Sequence, residues 1–83
     1  MTLAELKTIR SHVGFGRFLA ECAQEPLGEI PRQPEIPSPY AYSPTWEVWD
    51  WKGRPVVIVE TAHKTYRIFE VPAAEVQPLT PAS

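Results

Sequence analysis

Apolar residues follow two unlike patterns along this chain, and the change between them falls near residue 45. From Trp46 to Val71 (WEVWDWKGRPVVIVETAHKTYRIFEV) they form short β-branched and aromatic runs separated by turn residues, which predicts an antiparallel β-meander. Trp46 to Trp51 reads as one strand, Lys52-Gly53 as a tight turn with glycine supplying positive φ, and Pro55 to Thr61 as a second strand. Ala62 to Lys64 makes the next turn, and Thr65 to Val71 is the third strand. Val56, Val57, Ile58 and Val59 in succession mark the second as the central strand, buried on both faces. A two-residue turn at Lys52-Gly53 puts Trp49 opposite Val56 on one face, and Trp46 and Val48 opposite Val59 and Val57 on the other. The second turn accommodates two or three residues, and a one-residue slip exchanges Tyr66 and Ile68 with Arg67 and Phe69 between the faces.

The first part of the chain reads as helical. Thr2 and Glu5 have the spacing of a capping box, so a helix is expected to start at about Leu3. At 100° per residue Leu3, Leu6, Ile9 and Val13 form one stripe, while Phe15, Phe18, Leu19 and Cys22 fall on roughly the opposite side. Two readings of residues 3 to 24 fit that jump: two short helices broken at Gly14-Gly16, or one helix apolar on two sides. The break is preferred, because each glycine inside a helix costs about 1 kcal/mol.

Between the two patterns, Glu25 to Thr45 carries six of the ten prolines. Pro31, Pro34 and Pro37 recur every third residue, which lines their rings along one face of a polyproline II helix and matches the PxxP pattern of aromatic grooves. The simpler expectation is a stiff extended strap across the domain's own surface, pinned by Ile30, Ile36, Tyr40 and Tyr42. After the meander, Pro72 sits at the first position of a short helical turn, Val76 to Leu79 is a candidate edge strand, and residues 80 to 83 read as a frayed tail. A meander, a helical turn and a last short strand over residues 46 to 79 resemble the way many SH3-like barrels end. That resemblance implies one further strand from the Pro-rich region and does not choose between peptide and nucleic-acid binding. The fold class expected is therefore α+β: a three- to four-stranded antiparallel meander packed on an N-terminal helical segment, with a Pro-rich strap between them, all in one domain of residues 1 to 83.

Composition narrows the function more by exclusion than by indication. The 43% hydrophobic and 22% charged content is that of a globular chain, not a disordered one. A net charge of −2 argues against generic binding to a phosphate backbone. The single Cys22 cannot form an internal disulfide and reads as a small buried hydrophobe. No signal-peptide pattern opens the chain and the aliphatic run Val56 to Val59 is too short to cross a bilayer, so a cytoplasmic location is expected.

No catalytic constellation stands out. His12 and His63 are the only imidazoles, neither with a carboxylate at an orienting spacing, and one cysteine with two histidines makes a structural zinc site improbable. Gly14-Phe15-Gly16 lacks the preceding strand of a phosphate-binding loop. Neither cofactor nor metal is expected, and the chain is expected not to be an enzyme. Glu47, Asp50, Glu60 and Glu70 are placed where they could pair with Lys52, Arg54, Lys64 and Arg67 across the sheet.

The aromatic set is what remains. Trp46, Trp49, Trp51, Arg54, Tyr66, Arg67 and Phe69 have the composition of a protein-binding hot spot. A meander apolar on both faces, in a chain with few residues to cover it, points to a partner or a second copy on one face. The expected function is thus a small adaptor or inhibitor, either binding a partner protein or forming a homodimer. The alternative is a single-stranded nucleic-acid binder that stacks bases on the tryptophans with Arg54, Lys64 and Arg67 at phosphates.

Overall fold

The computed structural model describes residues 3–40 and 43–79. Five antiparallel strands, one α-helix and one 3₁₀ turn make up the described residues. In chain order they are β1 (Ala4–Ile9), α1 (His12–Glu21), β2 (Gly28–Pro31), β3 (Thr45–Trp51), β4 (Arg54–Ala62), β5 (Thr65–Glu70) and a 3₁₀ turn at Ala73–Glu75. The sheet order is β1-β5-β4-β3-β2, so β4 is the central strand, as its aliphatic run implies.

The first hairpin follows the turn chemistry. Trp51 pairs with Arg54 around Lys52-Gly53, both with positive φ (51° and 83°), the combination a two-residue type I′ turn requires. Gly53 N–H donates to Asp50 Oδ1 at 2.9 Å, closing the turn. Trp49 pairs with Val56. Pro55 faces Asp50 near the start of β4. At the second hairpin Ala62 pairs with Thr65, and a bulge between Glu60 and Ala62 takes up one residue. That bulge settles the open register: Tyr66 and Ile68 share a face with Val56 and Ile58, while Phe69 lies opposite Val57 on the other.

The N-terminal expectation is overturned. Residues 4–9 form a strand, paired to β5 from Ala4–Glu70 to Ile9–Tyr66 with a bulge at Leu6. The sheet edge that β5 would otherwise expose outweighs the few tenths of a kcal/mol per residue by which Ala, Glu, Leu and Lys favour a helix. Thr2, half of the expected capping box, lies outside the described residues. The helix starts instead at Ser11, whose Oγ accepts from Gly14 N–H at 3.0 Å, and Cys22 N–H closes its end on Leu19 O. The described residues hold one α-helix where two were expected, and Gly14 and Gly16 lie inside it. A Cβ at Gly14 would come within 2.9 Å of Ile9 Cγ2, so the glycine that suggested a break allows the close approach of α1 to β1.

The Pro-rich stretch is not one continuous strap. Its residues 28–31 form β2, which pairs with the first half of β3 from Gly28–Val48 to Pro31–Thr45. Residues 34–36 then turn. Tyr40 is 48% exposed and pins nothing, whereas Ile36 is buried; Tyr42 lies outside the described residues, as do 80–83. Beyond the 3₁₀ turn, Gln77 bridges Glu29 through a reciprocal pair of backbone hydrogen bonds (2.8 and 2.9 Å). A Cβ on Gly28 would sit 2.1 Å from Gln77 O, so only glycine admits this crossing. A strand from the Pro-rich region thus meets the segment after the helical turn at one isolated bridge.

Both faces of β4 are covered by the chain itself. On one, Val56, Tyr66, Ile68 and Ile9 pack under Phe18 of α1. On the other, Ile30, Trp46, Val48, Val57, Val59, Phe69 and Val71 form a second cluster closed by Ile36. Ser38 Oγ donates to Glu60 O at 3.0 Å at the far end of β4.

Candidate functional site

The seven residues expected to meet a partner are not one surface. Trp46 and Phe69 are buried in the cluster closed by Ile36, whereas Trp49, Trp51 and Tyr66 belong to the helix face. Arg54 is exposed at the hairpin tip. Arg67 is engaged: its Nε and Nη2 donate to the two Glu5 oxygens at 3.0 and 2.9 Å, and its guanidinium lies 5.0 Å from the Phe69 ring centre. Those bonds, and then one donated by the Thr8 hydroxyl at 2.9 Å, hold the Glu5 pKa below its usual carboxylate value.

Trp51 is half-buried, but its ring is already occupied. Phe18 tilts against it at 5.0 Å, and the Lys7 and Lys52 ammonium groups lie 5.8 and 5.5 Å from its centre. Lys52 also pairs with Glu21 at 2.9 Å. That hydrogen bond, aided by the nearby Trp51, lowers the Glu21 pKa, although among the described residues the Trp51 Nε1 itself has no partner in hydrogen-bonding geometry.

The histidines meet each other. His12 Nδ1 lies 2.8 Å from the Tyr66 hydroxyl, and the His12 and His63 rings stand edge-on at 5.8 Å. Phe15 stacks on Tyr66 at 4.1 Å. Burial, then the charge of Glu60, raises the Tyr66 pKa. Among the described residues no carboxylate bonds either imidazole, and neither imidazole lines the cleft between β3 and β4. Nor do three or more His, Cys, Asp or Glu side chains gather there as a metal site would need. Burial, then Asp50 and Glu21, raises the Cys22 pKa, which keeps it a thiol.

The open corner of the molecule is where β3 leaves β4. Their ladder ends at Trp49–Val56, and the first half of β3 pairs with β2 instead. On the helix face this leaves a cleft of about 430 Å³ lined by Glu29, Ser43, Thr45, Trp46, Glu47, Trp49, Ile58 and Leu79. Trp49 and Ile58 remain half-buried in it, and Leu79 is 41% exposed at its rim. Trp46 contributes from below, and its buried indole N–H has no partner among the described residues. Glu47 and Trp49 are two apart on one strand, so they share a face, and Glu29 lies directly opposite Glu47. Thr45 Oγ1 donates to Glu29 Oε2 at 3.2 Å.

Of these residues the sequence pointed to Trp46 and Trp49. Glu47 was expected to pair with a cation across the sheet, and it faces another carboxylate. Glu29 could not be placed because β2 itself was not foreseen. Among the described residues, no helix is long and apolar enough to cross a membrane. No protein-family model, curated protein or solved structure matches this chain, and the cleft is accordingly interpreted from its own geometry.

Proposed function

We propose that this chain is a small non-enzymatic protein-binding module, an adaptor or inhibitor, that holds an extended segment of a partner in the cleft between β3 and β4. The carrying observation is that Trp49 and Ile58 stay half-buried side by side at the one corner of β4 where its ladder to β3 has ended. A recess of about 430 Å³ is large enough for one or two side chains of a bound peptide. A sheet face with nothing to cover it would be reason for a large outside partner. The covers found on both faces replace that reason with a smaller surface.

Three features weigh against the nucleic-acid alternative. Trp46 is inside, the Trp51 ring carries two lysines, and Arg67 is bound to Glu5. The cleft itself holds two carboxylates and no lysine or arginine, which repels phosphate.

The test is selection from a displayed random-peptide library, followed by amide chemical-shift mapping of a selected peptide and of a mixed-sequence DNA oligonucleotide at low salt. Peptide-induced shifts confined to residues 29, 45–49, 58 and 79, and lost in Trp49→Ala, support the module. Shifts induced by the oligonucleotide favour the alternative. A monomer by analytical ultracentrifugation that selects no peptide would overturn the proposal.

A further inference from the structure

We infer that the cleft is specific for a cationic side chain, the lysine or arginine of a partner's extended segment, seated against Trp49 beside Glu29 and Glu47; this rests on reading the cleft as the partner contact. The starting point is a local conflict. Glu29 and Glu47 are a directly opposed cross-strand pair on one face, the arrangement in which like charges repel most strongly in an antiparallel sheet. The Thr45 hydroxyl bonded to Glu29 is neutral and does not cancel the charge. Neither carboxylate forms an ion pair among the described residues, and the cleft lining contains no basic group. Two other acids do hold a cation: Glu5 pairs with Arg67, and Glu21 with Lys52.

A second observation converges on the same chemistry. Trp49 stands two residues from Glu47 on the same side of β3 and is half-buried in the cleft wall. An indole beside carboxylates attracts a cation through both the ring quadrupole and Coulomb interaction, and partial desolvation in a recess strengthens both. The chain already shows this grouping at its other half-buried tryptophan, where Lys52 lies against Trp51 and pairs with Glu21. At Trp49 the carboxylates are in place, and among the described residues no lysine or arginine lies over the ring. Ile58 and Leu79 then receive apolar side chains two residues from the cation, which an extended chain places on the same face.

The experiment compares two blocked heptapeptides with leucine two residues to either side of a central arginine or citrulline, the latter keeping the shape and dropping the charge. Both are titrated into the full chain and followed by amide shifts at residues 29, 47, 49 and 58. The arginine peptide is expected to bind about tenfold more tightly. In Glu47→Gln, an exposed strand position, arginine-peptide binding falls about fivefold and citrulline-peptide binding is unchanged. The same substitution removes the repulsion and raises the melting midpoint by about 1–4 °C. Weaker binding in a more stable protein is the pattern that a purely structural glutamate cannot give. Equal binding of the two peptides through Trp49 overturns the cation and leaves the peptide cleft standing. If neither peptide shifts the cleft residues, the inference falls, and the library selection decides the wider reading separately.

Discussion

The two faces of the central strand are closed by unlike means, and they are closed to different degrees. Val57 and Val59 lie under a combination of β2, the curled first half of β3 and Ile36, and are 0% and 2% exposed. The opposite face has the helix, which runs from Tyr66, against His12 and Phe15, to Trp51, against Phe18 and Cys22. A helix with its side chains is about 10–12 Å wide, whereas five strands at about 4.8 Å spacing are roughly twice that. One helix on that line leaves a corner bare. Irregular chain can follow the sheet's twist and fill a face, and a single straight element cannot. The candidate site is the remainder of that mismatch.

Breaking the helix face should be the costliest change. Phe18 is the one buried residue of α1, at 1% exposure, and Phe18→Ala is expected to lose about 3–5 kcal/mol in urea unfolding. On the other face Ile36 is held by an irregular segment that can partly collapse into the space left behind. Ile36→Ala should therefore cost less, about 2–3 kcal/mol, and a cost equal to that of Phe18→Ala would show the two covers to be equivalent. Gly28→Ala sharpens the same contrast at β2, because the added methyl meets the Gln77 backbone. About 1–3 kcal/mol should be lost, with hydrogen-exchange protection falling first at Glu29 and Gln77.

The smallest effect concerns the Glu5–Arg67 pair that ties β1 to β5. The Glu5 pKa is depressed in the folded state, so its contribution is present above the usual value of 4.5 and is lost as pH falls through the lower folded value. The pair is about one-third exposed, so Arg67→Met should cost no more than about 1 kcal/mol at pH 7. The variant and the parent should converge in stability as the pH is lowered below that range. Parallel curves down to acid pH would show that the ion pair contributes nothing.

Local chemistry made part of this fold legible. Lys52-Gly53 and the aliphatic run of β4 act within a few residues and stand where their signals predict, whereas the helical turn starts one residue late, with Pro72 as its N-cap and not its first residue. The hot-spot composition was also visible, but it assumed that aromatics near one another in sequence would share a surface. Strand alternation and the Glu60–Ala62 bulge divided them between two interiors.

By itself the sequence determined a three-stranded meander with its middle strand greasy on both sides, because hairpin turns and β-branched runs fix their own geometry. Only the tertiary structure decided that Ala4–Ile9 is a strand, that Gly28–Pro31 joins β3, and that Glu29 comes to face Glu47. Those pairings depend on backbone groups that are distant along the chain, and no local propensity encodes which edge will need a partner. The cleft is a product of that second kind of decision.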